Sequence, residues 1–198
     1  MANIDYYFIT TSTFAYLAGN RLEEIAQKHN ATITYKPFDL VSVFPQTGGL
    51  PLPARHESRR AYRLQDVPRI ARRAGLPIKL QPAFFPTNHA PSSYAIIAAQ
   101  KAGGGDVGKL VQYVLSACFA EDRDIAEDGV IRDCLQRAGF DPGLAFSGMI
   151  VGAEVYSRNT DEALQRGVFG SPFYIVGEEK FWGQDRLDFL DDYLGEIA

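Results

Sequence analysis

A run of four hydroxyl residues, Thr10-Thr-Ser-Thr13, stands where a strand hands over to a helix. Before it, Asn3 to Phe8 reads as a short buried strand. After it, from Thr13 to Lys28, Phe14, Leu17, Ala18, Leu22, Ile25 and Ala26 fall on one helical face. Ala31 to Tyr35 reads as a second strand that ends at Pro37. Strand, helix, strand favours a parallel pair joined by a crossover helix. Strand character returns only near the end of the chain. Pro172 to Val176 is a buried strand, Gly177-Glu178 a turn, and Lys180 to Trp182 its antiparallel partner. Asp185 to Leu194 closes the chain as a helix capped by Asp185.

The middle of the chain has a different pattern. Val43 to Pro53 is rich in Pro and Gly and reads as a loop. Arg55 to Gly75 is helical but contains Pro68, and Asp66 can cap a new helix there, so two helices with a break are expected. Lys79 to Pro91 reads as a structured loop with three prolines. Helices are expected over Pro91–Ala102, Val107–Phe119, Asp128–Ala138 and Pro142–Ser157, with a short one over Thr160–Arg166. The predicted division is a discontinuous α/β domain, residues 1–40 and 158–198, interrupted by a helical insertion over 41–157.

The 198 residues are ample for a core. A net charge of −4 gives no reason to expect nucleic acid or an anionic membrane as a partner. Seven arginines lie between Arg55 and Arg73, and they read as a solvated helix face with one or two turned towards a pocket. No apolar run approaches the ~18 residues of a membrane span. The opening MANIDYY lacks the basic-then-apolar pattern of a signal peptide, so a cytoplasmic protein is expected. Cys118 and Cys134 have neither metal nor redox spacing and read as core thiols, a disulfide between them being disfavoured in a reducing compartment. His29, His56 and His89 have no metal spacing, so no metal is expected, and His89 reads as a loop histidine. Gly103-Gly-Gly-Asp-Val-Gly108 matches a dinucleotide fingerprint but follows a helix, not a strand, so it reads as a helix-to-helix loop.

The β-α-β…β-β-α outline is that of the thioredoxin fold. Such folds place a reactive cysteine pair just after the first strand, where helix N–H groups stabilise a thiolate. Here the same place holds Ser12-Thr-Phe-Ala15, with no sulfur. A hydroxyl there can donate a hydrogen bond to another molecule's thiolate. Five motifs run in order along the chain: Phe8 to Ala18 around Ser12; Arg59, Tyr62, Asp66, Arg69 and Ala71 with Gly75 and Pro77; Phe85-Pro-Thr-Asn88; Phe169-Gly-Ser-Pro172; and Trp182-Gly-Gln-Asp-Arg-Leu187. Through them the sequence resembles the 2-hydroxychromene-2-carboxylate isomerases, which belong with the kappa-class glutathione transferases in the DsbA-like branch of the thioredoxin superfamily.

The resemblance implies glutathione as cofactor, a small aromatic substrate and a homodimer. Ser12 resembles the serine that holds the glutathione sulfur. Ser171 precedes an expected cis proline, Pro172, and would offer its backbone to glutathione like an added strand. Trp182, Gly183, Gln184 and Asp185 resemble the segment for the γ-glutamyl end, and Asn88 would line the same cleft. Arg59 is the candidate cation for a substrate carboxylate. The family pattern is broken at Ile9, Thr13 and Arg59, where it has aspartate, proline and lysine. Thr10, Thr11 and Thr13 are alternative donors to Ser12. Glutathione-dependent isomerisation stands first among the functions. A kappa-type transferase or peroxidase that consumes glutathione comes next, then a non-catalytic ligand-binding protein in which Ser12 is a plain helix cap. A disulfide oxidoreductase is the weakest rival, because the sulfur is missing.

Overall fold

A computed structural model describes residues 1–197. Strand β1, Asn3–Phe8, lies inside a four-stranded sheet and is buried on both faces. It pairs in parallel with β2, Thr32–Pro37, from Asn3 opposite Thr32 to Phe8 opposite Pro37. On its other side it runs antiparallel to β3, Phe173–Val176, with Tyr6 opposite Tyr174. Strand β4, Glu179–Trp182, is antiparallel to β3, giving the order β2-β1-β3-β4. This is the expected thioredoxin-like sheet.

Among the described residues, ten α-helices surround the sheet. In chain order they are α1 (Thr13–Leu17), α2 (Arg21–Lys28), α3 (Leu40–Thr47), α4 (Glu57–Ala74), α5 (Ala90–Ala102), α6 (Val107–Phe119), α7 (Asp128–Arg137), α8 (Leu144–Ser147), α9 (Met149–Gln165) and α10 (Leu187–Glu196). The strand period of two divides the core. Ile4, Tyr6 and Phe8 with Tyr174 and Val176 face a large cluster that includes side chains of α1, α2, α4 to α7 and α10. Tyr7 with Phe173 and Ile175 faces a smaller one with Leu40, Val43 and Phe44 of α3 and Ala163 of α9. The free edge of β2 is covered by an amide. Gln100 on α5 accepts from Tyr35 N (2.8 Å) and donates to Tyr35 O (3.1 Å), taking the groups a further strand would use.

Several boundaries differ from the sequence-based expectation. The single helix expected from Thr13 to Lys28 is two, because Gly19 takes φ +61° and turns the chain between α1 and α2. Val43–Pro53 is not all loop. Asp39 Oδ1 accepts from Val41 N and Ser42 N and starts α3, which continues through Pro45. A short 3-10 turn follows at Leu52–Ala54. Helix α4 likewise runs unbroken through Pro68. In both helices the residue four places earlier, Val41 or Leu64, is exposed (53% and 45%), so the carbonyl that loses its proline partner can turn to water. Pro142–Ser157 divides into α8 and α9. The short helix expected from Thr160 is absorbed into α9, where the Thr160 hydroxyl bonds back to Tyr156 O (2.9 Å) and accepts from Asp39 N (2.9 Å) instead of capping. Asp185 is not a helix cap. It sits in a 3-10 turn, Gln184–Arg186, and α10 begins at Leu187.

Candidate active site

The two parallel strands end on the same side of the sheet, and Thr10 to Thr13 leave from there. Their four hydroxyls have separate fates. Thr10 is fully buried, pairs with Ser92 (2.8 Å) and donates to His89 O, so it fastens the start of α5 and is not a spare donor. Thr11 is half-buried. Ser12 is the N-cap of α1, its Oγ accepting from Ala15 N at 3.2 Å and donating to Ser171 O at 3.1 Å. Thr13 Oγ1 accepts from the Arg63 guanidinium at 2.5 Å.

Helix α1 has only five residues, so the electropositive character at Ser12 is not that of the long helix expected from the pattern. What remains is local. The N–H groups of Thr13 and Phe14 meet no acceptor among the described residues and face the end of the helix that Ser12 caps.

The loop before β3 closes over Ser12. The Ser171–Pro172 peptide bond is cis, as expected, and so is Phe85–Pro86. Ser171 is held from two sides, its Oγ accepting from Ile9 N (3.1 Å) and its carbonyl taking the Ser12 hydroxyl. Pro172 O accepts from Gly183 N (3.0 Å), which brings the turn after β4 alongside. The Trp182 indole, half exposed, lies so close to Gly170 that a Cβ there would sit 2.0 Å from Nε1. Phe169 meets the indole edge-to-face at 4.9 Å. Gly183 takes φ +108°, and the Asp185 carboxylate folds back against it. Arg21 donates to Gln184 O (3.2 Å) and pairs with Asp188, anchoring the turn to α2. The N–H groups of Gln184 and Asp185 have no acceptor among the described residues.

Ser12, Ser171, Pro172 and the Trp182–Asp185 turn therefore form one connected site. Asn88 is tied to it only through its loop. Its Oδ1 accepts from Ala90 N (3.1 Å) at the start of α5, while the neighbouring His89 carbonyl collects the hydroxyls of Thr10, Ser92 and Ser93. Arg59 is exposed on α4; its backbone N–H donates to His56 O (3.0 Å), and its guanidinium makes no hydrogen bond among the described residues. Arg63, one turn on, is the arginine that touches the active segment. Sequence reasoning did not single it out, although its i+4 relation to Arg59 was visible. Cys118 and Cys134 are buried free thiols, and burial raises them to about 12 and about 11, so neither supplies a thiolate.

Comparison with known proteins agrees with this architecture. Residues 3–195 match the family of DSBA-like thioredoxin domains. A 2-hydroxychromene-2-carboxylate isomerase of Pseudomonas putida is 30% identical over 98% of this chain and 95% of its own. One of Sphingobium xenophagum is 29% identical over 96% and 97%. The solved structure of a 2-hydroxychromene-2-carboxylate isomerase superposes with a TM-score of 0.79 at 27% identity, covering 98% of this chain and 95% of that one. The chain belongs to the DSBA-like thioredoxin family and, within it, to the family of the 2-hydroxychromene-2-carboxylate isomerases.

Proposed function

We propose that this enzyme is a glutathione-dependent isomerase of a small aromatic carboxylate, of the 2-hydroxychromene-2-carboxylate type. The observation that carries the reading is the Ser12–Ser171 contact. A hydroxyl occupies the position of a redox cysteine and rests on the carbonyl beside a cis proline. Two pairs of N–H groups without acceptors among the described residues flank it, Thr13 with Phe14 and Gln184 with Asp185. Such a site fits a peptide-like ligand carrying a thiol and a carboxylate.

When bound, glutathione would supply a nucleophilic sulfur used catalytically, so it would not be consumed. The chain's part is to hold that sulfur ionised. A free thiol titrates near pH 8.5. A hydrogen bond to a charged group contributes about 1.5–3 kcal/mol, which lowers that value by about one to two units. Ser12 has one proton, now given to Ser171 O; donating it to sulfur means leaving that carbonyl. The freed carbonyl then accepts a ligand N–H, as an added strand would provide. Gln184 and Asp185 N–H groups serve the γ-glutamyl carboxylate and the Asp185 side chain its ammonium group. Trp182 and Phe169 form an apolar wall, and Arg59 supplies positive charge for the substrate.

The test is turnover of 2-hydroxychromene-2-carboxylate with and without glutathione, followed by mass. An unchanged product mass, a rate that saturates with glutathione and full recovery of the thiol support the reading. A product heavier by one glutathione replaces it with kappa-type conjugation. A rate indifferent to glutathione overturns both.

A further inference from the structure

Helix α4 carries a line of arginines from the core out towards Ser12. Arg59, Arg63, Val67 and Ala71 follow one another at i+4, so they share a face. Val67 and Ala71 at its far end are buried in the main core. Arg63 is half-buried and bonded to Thr13, next to Ser12. The same face therefore leaves the core and reaches the active segment as arginine. Arg55, just before the helix, is also half-buried, and its Nε donates to Leu50 O (2.9 Å).

These guanidiniums lack what the rest of the protein provides. Six of the seven arginines outside 55–73 meet a carboxylate within 4.0 Å. Among the described residues none of the seven inside that stretch does. Burial, and then charge, lower the affinity of Arg55 and Arg63 for their protons: Arg59 acts on Arg55, and Arg55 on Arg63. Half-buried like charges held together without a counter-ion oppose folding, and a bound anion would relieve them.

We propose that Arg55, Arg59 and Arg63 form a carboxylate clamp beside Ser12, with Arg63 its inner member. The clamp deepens the function proposed above by naming what selects the ligand. Two carboxylates have the right chemistry, that of the aromatic substrate and the glycine end of glutathione. The guanidinium fork suits either one.

The experiment uses the full chain and four probes titrated by calorimetry. They are 2-hydroxycinnamate and its methyl ester, without glutathione, and glutathione and its glycyl ethyl ester. Wild type is compared with Arg63→Gln, Arg55→Gln and, as a control at the far end of α4, Arg72→Gln. Far-ultraviolet circular dichroism verifies folding, and Arg63→Lys keeps the test open if Arg63→Gln does not fold. The expected result is a preference of about tenfold or more for acid over ester in the wild type, retained in Arg72→Gln and lost in the other variants. Loss of preference between the cinnamate probes places the aromatic acid in the clamp; loss between the glutathione probes places the glycine carboxylate there. No acid preference in the wild type, or preferences that survive both Arg55→Gln and Arg63→Gln, overturns the proposal. The cinnamate arm needs no glutathione chemistry, so it stays readable if turnover proves independent of glutathione.

Discussion

Replacing Ser12 by alanine and, separately, by glycine divides the two roles of its hydroxyl. The oxygen caps α1 by accepting from Ala15 N at 3.2 Å, and its proton goes to Ser171 O at 3.1 Å. Losing a serine cap to alanine costs about 1 kcal/mol, whereas glycine at the same place costs only a few tenths. For a chain of this size 1 kcal/mol moves the melting temperature by about 2–4 °C. Ser12→Ala should therefore melt a few degrees low and Ser12→Gly close to wild type. The chemical loss is common to both variants. Without a donor to the sulfur about 1.5–3 kcal/mol of stabilisation disappears, roughly 10- to 150-fold in kcat/KM. Glutathione affinity should fall much less, because the Ser171 backbone and the Gln184–Asp185 turn are untouched. The assays are initial rates on the chromene carboxylate across glutathione concentrations, and thermal unfolding followed by the single tryptophan, Trp182. A Ser12→Gly variant with wild-type kcat/KM would refute the reasoning and leave Ser12 a helix cap.

Three further outcomes follow from the packing. Gly170→Ala puts a methyl group onto the Trp182 indole, so it should shift Trp182 emission and weaken glutathione binding. Unchanged emission would show that the ring does not rest on Gly170. Gly152→Ala drives a Cβ to 2.5 Å from Tyr94 Cβ and 2.7 Å from Tyr94 O, where backbone must move. About 1–3 kcal/mol of overpacking strain should lower the melting temperature by roughly 2–12 °C, measurable by calorimetry. Burial holds the His89 imidazole below its ordinary value of 6.5, against an opposing pull from Asp39. Between that value and the lower folded one the unfolded chain binds more protons, so stability falls as pH drops through 6.5. Urea titrations of His89→Gln should show a shallower fall over that window.

Local chemistry explains why some elements were legible in the sequence. Helix α6 was read at its true limits, Val107–Phe119, because Asp106 caps it through Lys109 N and one face is continuously apolar. Strand β1 was equally clear. Pro45 and Pro68 misled because tertiary burial of Val43 and Phe44, and of Val67 and Ala71, outweighed the local cost of proline. Gly19 ended α1 early since its positive φ is invisible in an apolar period. At the site, Ser12, Ser171 and Pro172 could be placed because the order of motifs sets them on adjoining loops. Arg63 could not, because its importance comes from contact with Thr13, fifty positions away in sequence. The commitment of Thr10 to Ser92 and His89 O was equally hidden, since nothing local separates one hydroxyl of the run from the next.

The most direct test is a calorimetric titration of glutathione at neutral pH, with the ultraviolet absorbance of the thiolate recorded alongside, on wild type and Ser12→Gly. Saturable binding, with a thiolate signal in the wild type that fades in the variant while binding persists, is the expected result. Absence of binding, or a thiolate signal that the variant keeps, would contradict a sulfur held ionised by Ser12.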